Sequence, residues 1–142
     1  HTRCLDFGAG TGILSLAAAR CGARSIDAVE VDDAALYTLK RNIQVNELDA
    51  NISIQRDLAS CEGQYDVILA NMYMDVLLPS LSSLVRRLRA NGRLWISGFT
   101  IEQRDEILQE TRKLGLTHAN SDTHDGWVGM SFINVSITGD RH

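Results

Sequence analysis

Proline is almost missing from this chain: one in 142 residues leaves little to interrupt regular structure, and no linker, repeat or low-complexity tract divides it. Excess positive charge is missing as well. With 14 Lys and Arg against 18 Asp and Glu, the net charge is −4 at pH 7, which excludes the broad positive field that sequence-independent nucleic-acid binding requires. No uncharged apolar run approaches the roughly 20 residues that cross a bilayer. No membrane association is expected, and a soluble, cytoplasmic protein is. The three cysteines, Cys4, Cys21 and Cys61, are odd in number and lack C-x-x-C spacing; this excludes a paired disulfide framework and fits free thiols in a reducing compartment. His118 and His124 lack metal-ligand spacing, and His1 and His142 are terminal, so no metal site is expected.

What the chain does have is alternation. At 44% apolar content it is long enough for one sizeable core and hardly two, so residues 1–142 are read as a single domain. "TRCLDF" is a short apolar strand, and "GILSLAAARCG" a small-residue helix closed by Gly22. "SIDAVEV" is a second strand, followed by "DDAALYTLKRNIQVN", where Leu36, Leu39 and Ile43 recur at helical spacing. "NISIQRD" and "YDVILAN" are further strands, the latter apolar at consecutive positions as a strand covered on both faces would be. Leu77, Leu81, Leu84, Val85 and Leu88 stripe a long helix that tolerates Pro79 near its first turns. "RLWISGF" is a fifth strand, and Ile107, Leu108, Thr111 and Leu114 form another helical face before Gly115. The last stretch, "LTHANSDTHDGWVGMSFINVSIT", holds two β-leaning pieces with no helix between them, hence an antiparallel hairpin. The whole reads as α/β, a mostly parallel sheet with helices on both faces and a C-terminal hairpin.

Ligands of such sheets sit beyond the carboxyl ends of the strands, which fall here at Asp6, Glu30, Asp57, Asn71 and Gly98. "LDFGAGTG" places three glycines at alternate positions after the first strand, where backbone amides at a helix N-terminus can be approached closely. The dinucleotide fingerprint G-x-G-x-x-G, counted from Gly8 and Gly10, needs its third glycine where Ile13 stands. Asp6 would also repel a pyrophosphate at low dielectric. A nucleoside with a cationic tail suits it better, and S-adenosyl-L-methionine is one. Glu30 can accept both ribose hydroxyls, and Asp57 the exocyclic amine of adenine. Each has a plainer competitor: Asp6 as a turn cap, Asp32 as rival acid and cap of the next helix, Asp57 and Asn71 as turn formers.

The chain resembles the class I S-adenosylmethionine-dependent methyltransferases through "LDFGAGTG", "VEVD" and "RDL". Within them it is most similar to the bacterial family that methylates large-subunit ribosomal protein eleven, through "LDFGAGTGILSLAAARCGA", "YDVILANM", "NGRLWISGF" and "GWVGMSF". The resemblance implies a Rossmann-like, seven-stranded fold and cofactor contacts at Asp6, Gly8, Ala9, Gly10, Thr11, Gly12, Glu30, Val31, Asp57, Leu58 and Asn71. It also implies methyl transfer to protein amino groups, lysine side chains or an N-terminus, of a ribosomal protein, with S-adenosyl-L-homocysteine as product. Family members carry a small N-terminal substrate-recognition domain and a loop ahead of the first strand. Neither is in these residues, so they are read as the catalytic core of a longer protein. Asn71 is the expected catalytic residue, orienting the incoming amine, with Met72 and Tyr73 at the acceptor's mouth where the family has an aliphatic run. A small-molecule or nucleic-acid methyltransferase is the alternative, weakened by the absence of N-P-P-[YF] at Asn71; a cofactor-binding module without turnover is another. Arg86, Arg87, Arg89 and Arg93 are read as complementing a helix dipole, and Trp127 as packing.

Overall fold

The computed structural model describes residues 2–49 and 51–135; His1, His142 and the Ile137–Thr138 end of the last expected strand lie outside them. Seven strands form one sheet: β1 (Arg3–Phe7), β2 (Ser25–Val29), β3 (Ile52–Gln55), β4 (Tyr65–Asn71), β5 (Leu88–Thr100), β6 (Thr117–His124) and β7 (Trp127–Ile133). The helices are α1 (Ile13–Arg20), α2 (Asp33–Val45), α3 (Met74–Arg86) and α4 (Arg104–Lys113). Strand order is β3-β2-β1-β4-β5-β7-β6. The first five strands pair in parallel, and β7 enters antiparallel between β5 and β6. Order therefore reverses between β1 and β4, and the crevice at their carboxyl ends is where such a sheet takes a ligand.

Strand side chains alternate between two cores. On one face Cys4, Ile26, Ala28 and Ile52 pack with Leu36, Leu39 and Ile43 of α2. On the other, Leu5, Ile68, Leu94, Ile96 and Phe132 meet Leu77, Leu81 and Leu84 of α3 and Ile107 of α4. Helix starts follow local chemistry. Asp32 caps α2 by accepting the Ala35 N–H at 2.9 Å, the capping role read from its position. Pro79 falls inside α3, where it removes one intrahelical donor without ending a helix held by its buried stripe.

Two boundaries differ from the pattern. Leu88 belongs not to the helix stripe but to β5, which starts there rather than at Arg93, because Leu88 pairs with Tyr65 ahead of a register shift. Asn91 takes a left-handed conformation at φ 62, and Asn134 closes the irregularity by exchanging backbone bonds with Asn91 and Gly92. In the middle of β2, Asp27 accepts from Arg3 at 3.1 Å and from the Tyr65 hydroxyl, two residues that start β1 and β4, while the Arg3 guanidinium lies 4.4 Å from the Tyr65 ring centre. This cluster ties β1, β2 and β4 together. Among the described residues no helix is long and apolar enough to cross a membrane; Cys4, Cys21 and Cys61 are free thiols.

Candidate cofactor and acceptor site

The glycine turn hangs on the end of β2. Gly8 and Ala9 both donate backbone N–H groups to the Val29 carbonyl, at 3.0 and 2.9 Å. Gly8, Gly10 and Gly12 all have positive φ, at 75°, 58° and 92°, a region that costs other residues strain. Gly12 also lacks room, since a Cβ there would meet Leu39 Cδ1 at 2.5 Å; at Gly10 a Cβ would meet nothing within 4 Å. The turn therefore faces open space at Gly10 and packs on α2 at Gly12.

Glu30 holds the centre of this arrangement. Its Oε1 accepts the Gly10 N–H at 2.8 Å, and its Oε2 accepts those of Val31 and Asp32 at 2.8 and 3.0 Å. Three charge-assisted bonds lock the carboxylate between the glycine turn and the loop into α2. Beside it Val31 is 67% exposed. Asp6 lies beneath the turn, 1% exposed. Its Oδ2 accepts the Ser15 hydroxyl at 2.7 Å, tying β1 to α1, while Oδ1 is buried without a partner among the described residues. Burial raises the Asp6 pKa above the usual carboxylate range; Ser15 opposes the shift and the negative charge of Glu30 adds to it. An orphaned, desolvated carboxylate oxygen at this place fits a ligand with a cationic tail, reached from below the turn.

Asp57, just past the end of β3, makes the local bonds of a turn former. Its Oδ1 accepts both the N–H and the hydroxyl of Ser60, at 2.8 and 2.7 Å, capping the short turn Leu58–Ser60. The Ser60 hydroxyl and N–H hold its pKa low despite full exposure. Leu58 is half-buried against the larger core, and Thr11 is exposed, its carbonyl accepting from Asn42 at 2.7 Å.

Across the crevice, a cavity of about 670 Å³ opens at the ends of β4 and β5. Asn71, Met72 and Tyr73 form one wall, Ser97 and Gly98 the floor, and Asp122, His124 and Trp127 of the hairpin the far side. Met72 joins the two halves, because a Cβ on Gly8 would stand 2.9 Å from its sulfur. The hairpin residues were not legible as site residues. Trp127, expected to pack, is 51% exposed and pairs with Thr100 at the tip of β5. Folding the hairpin back antiparallel onto β5 would have brought it there, since the start of one strand then borders the end of the other.

The model of the ribosomal protein L11 methyltransferase (PrmA) family matches residues 1–134. The chain belongs to this family. Among its relatives, the ribosomal protein L11 methyltransferase of Thiobacillus denitrificans is 36% identical over 126 residues, covering 89% of this chain and 42% of the relative. That of Porphyromonas gingivalis is 33% identical over 133 residues, covering 92% and 46%. The chain thus spans less than half the length of these curated relatives. The solved structure of a ribosomal protein L11 methylase from Lactobacillus delbrueckii subsp. bulgaricus superposes with a TM-score of 0.87 at 27% identity, over 92% of this chain and 68% of that one. A precorrin-6y C5,15-methyltransferase from Geobacter metallireducens superposes at 0.78 with 16% identity, a likeness of fold alone. The L11 methyltransferase family implies use of S-adenosylmethionine, and the seven-stranded, Rossmann-like sheet is the architecture of its methyltransferase neighbours.

Proposed function

We propose that these residues form the catalytic domain of an S-adenosylmethionine-dependent methyltransferase acting in the cytoplasm on protein amino groups, lysine side chains or an N-terminus, of a ribosomal protein. The observation that carries this reading is the adjacency of two unlike sites. An acid-lined glycine turn at β1 and β2 meets an aromatic-rimmed cavity at β4 and β5, and Met72 both lies against Gly8 and lines that cavity. The relatives' names point to the ribosomal protein as acceptor.

S-adenosylmethionine, when bound, supplies a methyl group activated by a positive sulfur. Glu30, already immobilised by three N–H groups, is the acceptor for the ribose hydroxyls, and Asp6 balances the charge of the amino-acid tail from below. Gly8, Ala9, Gly10, Thr11 and Gly12 supply the close backbone surface, and the uncapped N-terminus of α1 at Gly12 suits the tail's carboxylate. Val31, Asp57 and Leu58 border the nucleoside.

On the acceptor side, Asn71 accepts a hydrogen bond from the incoming amine and turns its lone pair toward the methyl group. Transfer needs the reacting atoms about 3 to 3.5 Å apart and nearly in line, and such positioning is worth roughly 7 kcal/mol or more. A lysine also has to lose a proton first: with a reference pKa near 10.4, about one amine in a thousand is neutral at pH 7.4. The apolar walls offered by Met72, Tyr73, Val76 and Trp127 desolvate the ammonium and lower that pKa.

The test is methyl transfer from labelled S-adenosylmethionine to a ribosomal-protein fraction. Label is expected on lysine or N-terminal amines, and Asn71→Ala lowers turnover far more than S-adenosylhomocysteine affinity. Label confined to RNA or small molecules, or equal loss of turnover and affinity, contradicts the reading.

A further inference from the structure

Four residues stand in one row across four adjacent strands. Asn71 of β4 pairs with Ser97 of β5, Ser97 with Gly129 of β7, and Gly129 with Asp122 of β6. Residues in register across a sheet project from the same face, so this row presents an amide, a hydroxyl, a gap and a carboxylate. All four line the cavity of about 670 Å³. Ser97, Gly129 and Asp122 also line a second cavity of about 320 Å³, so the two spaces adjoin along this row.

The gap at Gly129 is not required by the backbone or by packing. It is absent from the glycines with positive φ, and the nearest atoms to a Cβ there would be the Ile96 carbonyl oxygen and Ser97 Cβ, both at an ordinary 3.9 Å. A Cβ there would be accommodated by the protein itself. Its absence leaves a channel between Ser97 and Asp122.

Neighbouring strands lie about 4.8 Å apart, so Asp122 stands roughly 14 Å from Asn71. An extended lysine side chain spans about 6 Å from its α-carbon to its amine. With its amine at Asn71 and its side chain laid along the row, the acceptor's main chain crosses between Ser97 and Gly129, and Asp122 lies beyond it, within reach of a neighbouring side chain. The separation matters chemically. A carboxylate touching the reacting amine would hold it protonated, but Coulomb attraction beyond a Debye length of about 8 Å is largely screened. Asp122 is too distant to silence the nucleophile and close enough to hold a second cation. Its Oδ1 accepts the Thr123 N–H at 2.9 Å, which orients the carboxylate.

We propose that Asp122 and the channel at Gly129 form a second acceptor subsite, which selects polypeptides carrying a basic residue within a few positions of the modified amine. This rests on reading the site as an amine methyltransferase, and the test separates the two. Two synthetic peptides with one acceptor lysine are compared, one flanked by arginine and the other by glutamine at the same positions. Affinity is measured with the protein saturated in S-adenosylhomocysteine, and initial rates with S-adenosylmethionine.

The protein is expected to bind the arginine peptide about fivefold more tightly, the upper range for an exposed ion pair. Asp122→Asn removes that preference and raises KM for the arginine peptide alone, with kcat unchanged. Asp122→Lys transfers the preference to a glutamate-flanked peptide, an exchange that a merely structural role would not produce. Gly129→Val weakens both peptides and spares S-adenosylhomocysteine. Equal binding of the two peptides, no binding of either, or a preference retained in Asp122→Asn overturns the subsite. Arginine-dependent binding without methyl transfer would instead overturn the proposed reaction and leave the subsite standing.

Discussion

Gly98 makes room for Asn71: a Cβ at Gly98, whose φ is 96°, would stand 2.9 Å from Asn71 Oδ1 and 2.8 Å from the Met72 carbonyl oxygen. The glycine at the end of β5 thus sets where the amide at the end of β4 points. Gly98→Ala should displace Asn71 and lower turnover about 100-fold, the scale expected when reacting groups are misplaced by roughly 1 Å. Steady-state kinetics with parallel calorimetry of S-adenosylhomocysteine checks this. A variant with wild-type turnover would show that Asn71 orientation is irrelevant.

Asp6 should trade stability for binding. Its folded-state pKa is raised above the ordinary 3.8, chiefly by burial. Between the ordinary and the raised value, the folded state keeps a proton that the unfolded state has released. Its contribution to stability therefore falls as pH rises through that window and stays unfavourable at neutral pH. Asp6→Asn removes the charge, keeps an oxygen for the Ser15 hydroxyl, and should raise the Tm of the ligand-free protein at pH 7 while weakening S-adenosylhomocysteine. The gap in Tm should close on acidification below the ordinary carboxylate pKa. Melting curves at several pH values decide it; identical curves for both proteins would refute it.

In the middle of β2, Asp27 serves Arg3 and the buried Tyr65 hydroxyl, and burial and Asp27 together push the Tyr65 pKa well above its ordinary value. Asp27→Ala leaves both donors without their acceptor and should cost about 2 to 3 kcal/mol, the scale for hydrogen bonds to a charged group. Urea unfolding should report it as a lower midpoint with an unchanged slope. Cofactor affinity should change little, because Arg3 and Tyr65 stand at the starts of β1 and β4, away from the glycine turn, and among the described residues Asp27 makes no hydrogen bond to that turn.

Much of this was legible in the chain because it is local. Periodicity found the alternating strands and helices, and the glycines with Asp6 and Glu30 marked the crevice end of the sheet. Asp32 read correctly as a cap because a helix start needs one. What escaped depended on register. Leu88 sits at a spacing that continues the stripe of α3, yet its pairing with Tyr65 draws it into β5. Asp122, His124 and Trp127 reach the acceptor cavity only once the hairpin is folded onto β5. For Asp57 the turn-forming alternative describes the observed hydrogen bonds to Ser60, which composition could not separate from ligand binding.

The proposed cofactor role of Glu30, a carboxylate already committed to three N–H groups, is examined directly by titration calorimetry with S-adenosylhomocysteine and NADH on the wild type and Glu30→Ala. The homocysteine compound is expected to bind, with affinity falling about 10- to 100-fold in the variant, as hydrogen bonds to a charged group predict, and NADH to bind neither protein. Saturable NADH binding to the wild type, or undiminished S-adenosylhomocysteine affinity in Glu30→Ala, would contradict it.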